Sequence, residues 1–204
     1  MSKNTSIFEK TYENYLKQIA AIDLKNVTET LGAQFEKNSL IISLYGKAFR
    51  ISQNGIMNLS GIRPSLDICV ILCQYILRCP PFPPKPKDWV SFRDFKDSGP
   101  LTVYWRNDVE KPIATAFSKK RESLEKSGRK MDGYDPVDKL PYDLVMQFDA
   151  LPKIPLLMMF NDADEEFPAQ CSLLFQKRAE AYLDAESLAI LGQGLAIRII
   201  GRNE

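Results

Sequence analysis

Apolar residues first recur at helical spacing: Phe8, Tyr12, Tyr15, Leu16 and Ile19, with Glu13 and Lys17 paired four apart on another face. This period predicts an amphipathic helix over roughly Ser6–Ile22. A shorter helix over Leu24–Leu31 is expected to stop at Gly32, a residue suited to the left-handed turn of a helix end. The period then changes to two. Leu40, Ile42 and Leu44 alternate with their neighbours, a Gly46-Lys47 turn follows, and Phe49 and Ile51 resume the alternation. Asn54-Gly55 reads as a two-residue hairpin turn into Ile56–Leu59. The pattern predicts a three-stranded antiparallel meander with one packed and one wet face.

Pro64 suits a first helical position, and Leu66–Leu77 is apolar nearly all round, as in a central buried helix. Cys79-Pro80-Pro81-Phe82-Pro83-Pro84-Lys85-Pro86 then removes backbone donors and imposes an extended, polyproline-like path. Residues 80–106 show little periodicity but carry Phe82, Trp89, Phe92, Phe95, Tyr104 and Trp105. A long irregular segment of this kind inside a compact domain is a lid, a binding loop or disordered, and its aromatics argue against disorder. Val109, Ile113, Ala116, Phe117 and Leu124 mark a further amphipathic helix, with Pro112 near its first turn and Gly128 near its stop. After the polar stretch Arg129–Lys139, three apolar runs read as strands of a second, larger sheet: Tyr142–Phe148, Ile154–Phe160 and Cys171–Phe175. Asp184 can cap the last helix, and Leu183 can pack on Leu188 as a hydrophobic staple. The expected fold is therefore α+β: an antiparallel meander plus a second, mainly antiparallel sheet, packed with about four to five helices. With no repeat and no break in composition, residues 1–204 are read as a single domain.

Composition narrows the chemistry. Lys and Arg number 27 against 26 Asp and Glu, a net charge of +1, without the basic excess of a nucleic-acid binder and with no attraction to a membrane surface. The first twenty residues lack a secretory pattern, and the apolar run Leu66–Leu77 is too short to span a bilayer, so a cytoplasmic protein is expected. The chain has no histidine. This removes Ser-His and Cys-His pairs, and His-ligated zinc and haem. Acid–base chemistry would have to use Asp, Glu, Lys, Tyr or Cys.

Three constellations remain. Cys69, Cys73 and Cys79 could ligate a metal, but their apolar flanks and helical spacing fit buried thiols better. Asp162, Asp164, Glu165 and Glu166, followed by Phe167-Pro168-Ala169, form either a hard-cation site or a solvated hairpin turn whose exit is fixed by proline. Trp89, Phe92, Arg93 and Tyr104 form either an aromatic wall with one guanidinium for an anionic organic ligand, or rings pinning a loop to the core. No nucleophile elbow, dinucleotide fingerprint or phosphate loop appears, and Gly192-Gln193-Gly194 reads as a packing notch.

Those motifs resemble the domain of unknown function 3786 family of anaerobic bacteria and archaea. The resemblance runs from about Ser65 onward. It rests on Trp89-x-Ser91-Phe92-Arg93, Leu151-Pro152-x-x-Pro155, Asp164-Glu165-Glu166-Phe167-Pro168-Ala169, Leu174-Phe175 and Tyr182-Leu183-x-x-Glu186. It implies that the aromatic segment and the acidic turn are family features. Relatives with an attached four-cysteine domain give the family an iron–sulfur label, but no such attached domain lies within these 204 residues, so the label does not pass to them and the cofactor is left unassigned. Three functions stay open: a module holding a small organic ligand between the Trp89–Trp105 loop and the Asn161–Ala169 hairpin; a carboxylate- or metal-dependent enzyme using Asp162, Asp164 and Glu165; and a protein-interaction module of an anaerobic redox system.

Overall fold

The computed structural model describes residues 3–86 and 88–201, with side chains from residue 9 onward, so Phe8 of the first helical stripe lies outside the described side chains. Helix α1 (Lys3–Ile19) buries Tyr12 and Ile19. It ends before the expected Ile22, because the chain tightens into three-residue turns in which Ala21 N donates to Gln18 O and Ile22 N to Ile19 O. Helix α2 keeps only Thr28–Leu31 of the predicted Leu24–Leu31. The Asp23 carboxylate accepts from Lys25 N (3.0 Å), and this local turn displaces the first helical turn. Gly32 closes α2 at φ 65°, as its position predicted.

The meander has four strands rather than three: β1 (Gln34–Glu36), β2 (Ser39–Leu44), β3 (Lys47–Ser52) and β4 (Gly55–Asn58), paired in sequence order. β1 escaped the pattern because its three residues are all exposed. The β3–β4 turn is Gln53-Asn54, one residue earlier than expected, since Ser52 pairs Gly55. That register places Ile51 opposite Ile56, and both are buried. Helix α3 (Leu66–Leu77) packs against α1 and is buried along most of its length.

The second sheet combines β5 (Trp89–Ser91), β6 (Leu144–Leu151), β7 (Ile154–Asn161) and β8 (Gln170–Gln176) in the antiparallel order β5-β8-β7-β6. Tyr45 joins the two sheets: its N–H donates to Ala150 O (3.0 Å) and its hydroxyl to Leu191 O (2.6 Å). The segment expected to be irregular over 80–106 is regular in large part. After β5 come short 3-10 turns at Phe92–Asp94 and Gly99–Leu101, then α4 (Thr102–Tyr104), a π-helical segment Trp105–Glu110, and α5 (Lys111–Phe117). The single helix expected through Leu124 is broken at Lys119 (φ 58°), and α6 (Arg121–Arg129) follows. Helix α7 (Ala185–Ile200) begins as predicted: the Asp184 carboxylate accepts from Ser187 N (2.9 Å), and Leu183 and Leu188 are both buried. The core lies between these helices and one face of each sheet. It runs from Tyr12 to Ile199 as one cluster.

Candidate functional site

The aromatic segment divides into structural and surface residues. Phe92, 1% exposed, stacks on Trp105 with ring centroids 4.4 Å apart and planes 7° from parallel. Trp105 also tilts onto Phe175 at 5.6 Å, and Phe95 meets Phe175 edge-on at 5.7 Å. The indole rests on Gly192, where a Cβ would come within 2.3 Å of the ring, so the glycine is the packing notch its sequence context indicated. Trp89 takes the other face of the sheet: Val90 packs against the core, so its neighbours on β5 point away. Arg93 stands 77% exposed on a turn fixed by Ser91 and Asp94, whose carboxylate accepts from both the Ser91 amide and hydroxyl (2.9 and 2.8 Å). Those two bonds hold the Asp94 carboxyl below the ordinary range. Tyr104 is half-buried against the core.

The acidic turn is shaped by its own carboxylates. Asp164 accepts from Glu166 N (2.8 Å) and Phe167 N (2.6 Å), which lowers its pKa. Asp162 accepts from Ala163 N and, across the fold, from Lys119 N at the α5–α6 break. Asp143 accepts from Asp162 N (2.8 Å). Glu165 and Glu166 are exposed, and Phe167 is 60% exposed. The sheet register keeps this turn apart from Trp89. Gln170 opens β8 and Trp89 lies opposite Gln176, six residues on, or about 20 Å of strand. Trp89 and the Asp164–Phe167 turn thus sit at opposite ends of β8.

One residue missed in the sequence stands at the centre of this region. Glu110 ends the π segment. Its carboxylate accepts from Leu173 N (3.0 Å), just where β5 stops pairing with β8 at Ser91 and Leu174. Burial raises its pKa, opposed by the Leu173 bond, the nearby Trp105 indole and Arg106. A glutamate between Val109 and Lys111 looks like an ordinary helix surface residue. Only the five-residue spacing from Trp105, one π turn, would have marked it. A shallow groove on the outer side of this helix is lined by Asn107, Lys111, Pro112, Thr115 and Ala116.

The cysteines are free thiols: Cys69, Cys73 and Cys171 buried, Cys79 half-buried. Burial pushes Cys73 up to about 12 and raises the other three. Among the described residues, no three Cys, Asp or Glu come together as a metal-binding group, and no helix is long and apolar enough to cross a membrane.

The architecture is α+β, with two four-stranded antiparallel sheets and a surface that alternates shaped turns with exposed aromatics. The chain belongs to the DUF3786 family, a domain of unknown function, whose model matches residues 23–198. No curated protein and no solved structure matches it.

Proposed function

We propose that this is a cytoplasmic protein-interaction domain whose recognition element is the proline-rich run Pro80–Pro86. One observation carries the reading: Phe82 stands 80% exposed, with Pro81 and Pro83 exposed on either side of it. Neither helix nor strand forms over 79–86, and five prolines hold the backbone in few conformations. Such a segment loses little entropy when it docks into an aromatic-lined groove of a folded partner. Both its ends are anchored, by α3 before it and β5 after it. Of the rings expected to line a pocket, Trp89, Phe92 and Tyr104, the loss of Phe92 to the core, where it stacks on Trp105, favours the same reading. The test is affinity capture from the native host with the wild-type domain and with Phe82→Ala, followed by reconstitution with the purified partner. A partner retained by wild type and at least tenfold weaker with Phe82→Ala supports the reading. Equal retention by both removes it.

A second reading keeps the anionic small molecule, and the exposed Arg93 guanidinium on its braced turn favours it. Trp89, Tyr104 and Arg93 would form that site, without the acidic turn. Titration with organic carboxylates and phosphates should then shift tryptophan emission in the wild type and leave Arg93→Ala unchanged; an unresponsive wild type eliminates it.

A further inference from the structure

The end of the proline-rich run presents a defined set of side chains to solvent. A polyproline helix turns every three residues, so positions three apart share an edge. Phe82 and Lys85 fall on one edge and Pro83 and Pro86 on the next, and all four are exposed. Pro84, on the remaining edge, is half-buried. Two cations flank Phe82, and they are placed differently. Arg78 ends α3 and lies 3.8 Å from Asp184, the carboxylate that caps α7. Lys85 makes no ion pair among the described residues. The run therefore offers an exposed ring and an unpaired cation three residues apart, between prolines that restrict the backbone carrying both.

We propose, resting on the reading of this run as a docking element, that the partner is a folded domain whose groove is acidic as well as aromatic. Its rings take Phe82 and the exposed prolines, and a carboxylate beside them takes Lys85. The argument is charge complementarity. Prolines offer no N–H, so a partner must read the run by its shape and by its few charged side chains. A charge placed to one side of the ring fixes the register in which the run lies and rejects grooves of the wrong sign. The acid nearest in sequence, Asp88, lies past the run, where its carbonyl accepts from Lys177 N (3.0 Å) at the entry to β5. An anionic membrane fits less well. Attraction to such lipid takes clusters of about four to eight basic residues, and the stretch from Arg78 to Asp88 contains three.

The test titrates the host protein purified on the wild-type domain with full-length wild type, Phe82→Ala, Lys85→Glu and Lys85→Arg. Lys85 is exposed, so its variants should keep the wild-type circular dichroism. Lys85→Glu is expected to bind at least about tenfold more weakly, whereas Lys85→Arg, which keeps the charge, should bind like wild type. Wild-type binding should itself weaken in about 1 M salt, where the screening length falls to about 3 Å. Equal binding by Lys85→Glu and wild type, with Phe82→Ala still defective, overturns the acidic groove and leaves the docking run standing. Normal binding by Phe82→Ala removes the docking reading and this inference with it. Cosedimentation with phosphatidylserine vesicles that is lost in Phe82→Ala would overturn the inference in favour of a membrane surface.

Discussion

The two sheets have equal numbers of strands and opposite construction. In the first, β1 to β4 pair in sequence order through two-residue turns, so every contact is local. In the second, β5 reaches β8 across about eighty residues of intervening helix and strand. The first buries alternate positions, as in β2, where Leu40, Ile42 and Leu44 are inside. The second has a central strand buried on both faces. Local pairing with one wet face can form early and fail locally. Non-local pairing must be held by what lies between the strands, and here that is the Phe92–Trp105–Phe175 stack against α7.

Substitutions in the stack should therefore cost most. Phe175→Ala removes the ring that Phe95 and Trp105 share, and is expected to lower stability by about 3–5 kcal/mol in urea unfolding. A loss under 1 kcal/mol would mean that the stack does not hold the second sheet. Gly192→Ala forces a methyl into the Trp105 indole, which is already held by its stack on Phe92, at about 1–3 kcal/mol. Restored stability in Gly192→Ala combined with Trp105→Leu would confirm that this clash is the cause. Tyr45→Phe, which loses one of the links between the meander and the rest, should cost only about 0.5–1.5 kcal/mol. Hydrogen exchange should show the loss confined to β2 and β3 if the meander fails locally.

The smallest effect is a slope with pH. Glu110 has a folded pKa above its ordinary 4.5, so the folded state binds the proton more tightly than the unfolded chain. Its contribution to stability is complete below 4.5 and is lost as pH rises through the raised folded value. Glu110→Gln keeps an oxygen for Leu173 N and should flatten that part of the stability curve. An identical pH profile in the variant would show that Glu110 does not titrate in this way.

Alternation and turn chemistry carried the meander, because its strands meet their neighbours in sequence. Capping chemistry carried α7 through Asp184, and burial of an all-round apolar run carried α3. What stayed hidden depended on distant partners. β5 is three residues following a proline run, and is a strand only because β8 lies beside it. The start of the helical stretch before Val109 was missed although Trp105, Val109 and Ile113 recur every four residues and are all buried, because Trp105 also belongs to the aromatic run that precedes it. The break at Lys119 is fixed by Asp162, forty-three residues away, and leaves no local signature. The candidate site was legible as residue types but not as an arrangement. Phe92 and Arg93 are adjacent in sequence, yet one is in the core and the other in solvent. The distance between Trp89 and the acidic turn is a property of the β8 register, which no local pattern encodes.

The bond from Leu173 N to Glu110 also guards against assembly of the wrong kind. Where β5 ends, β8 would offer a free amide on an apolar strand, Cys171–Phe175, to any extended chain nearby. Glu110 occupies that amide with a carboxylate, so a strand arriving at this edge loses one ladder bond and meets an acid. A side chain from a helix thus completes the sheet edge where the backbone runs out. Its removal should first appear as faster aggregation on refolding.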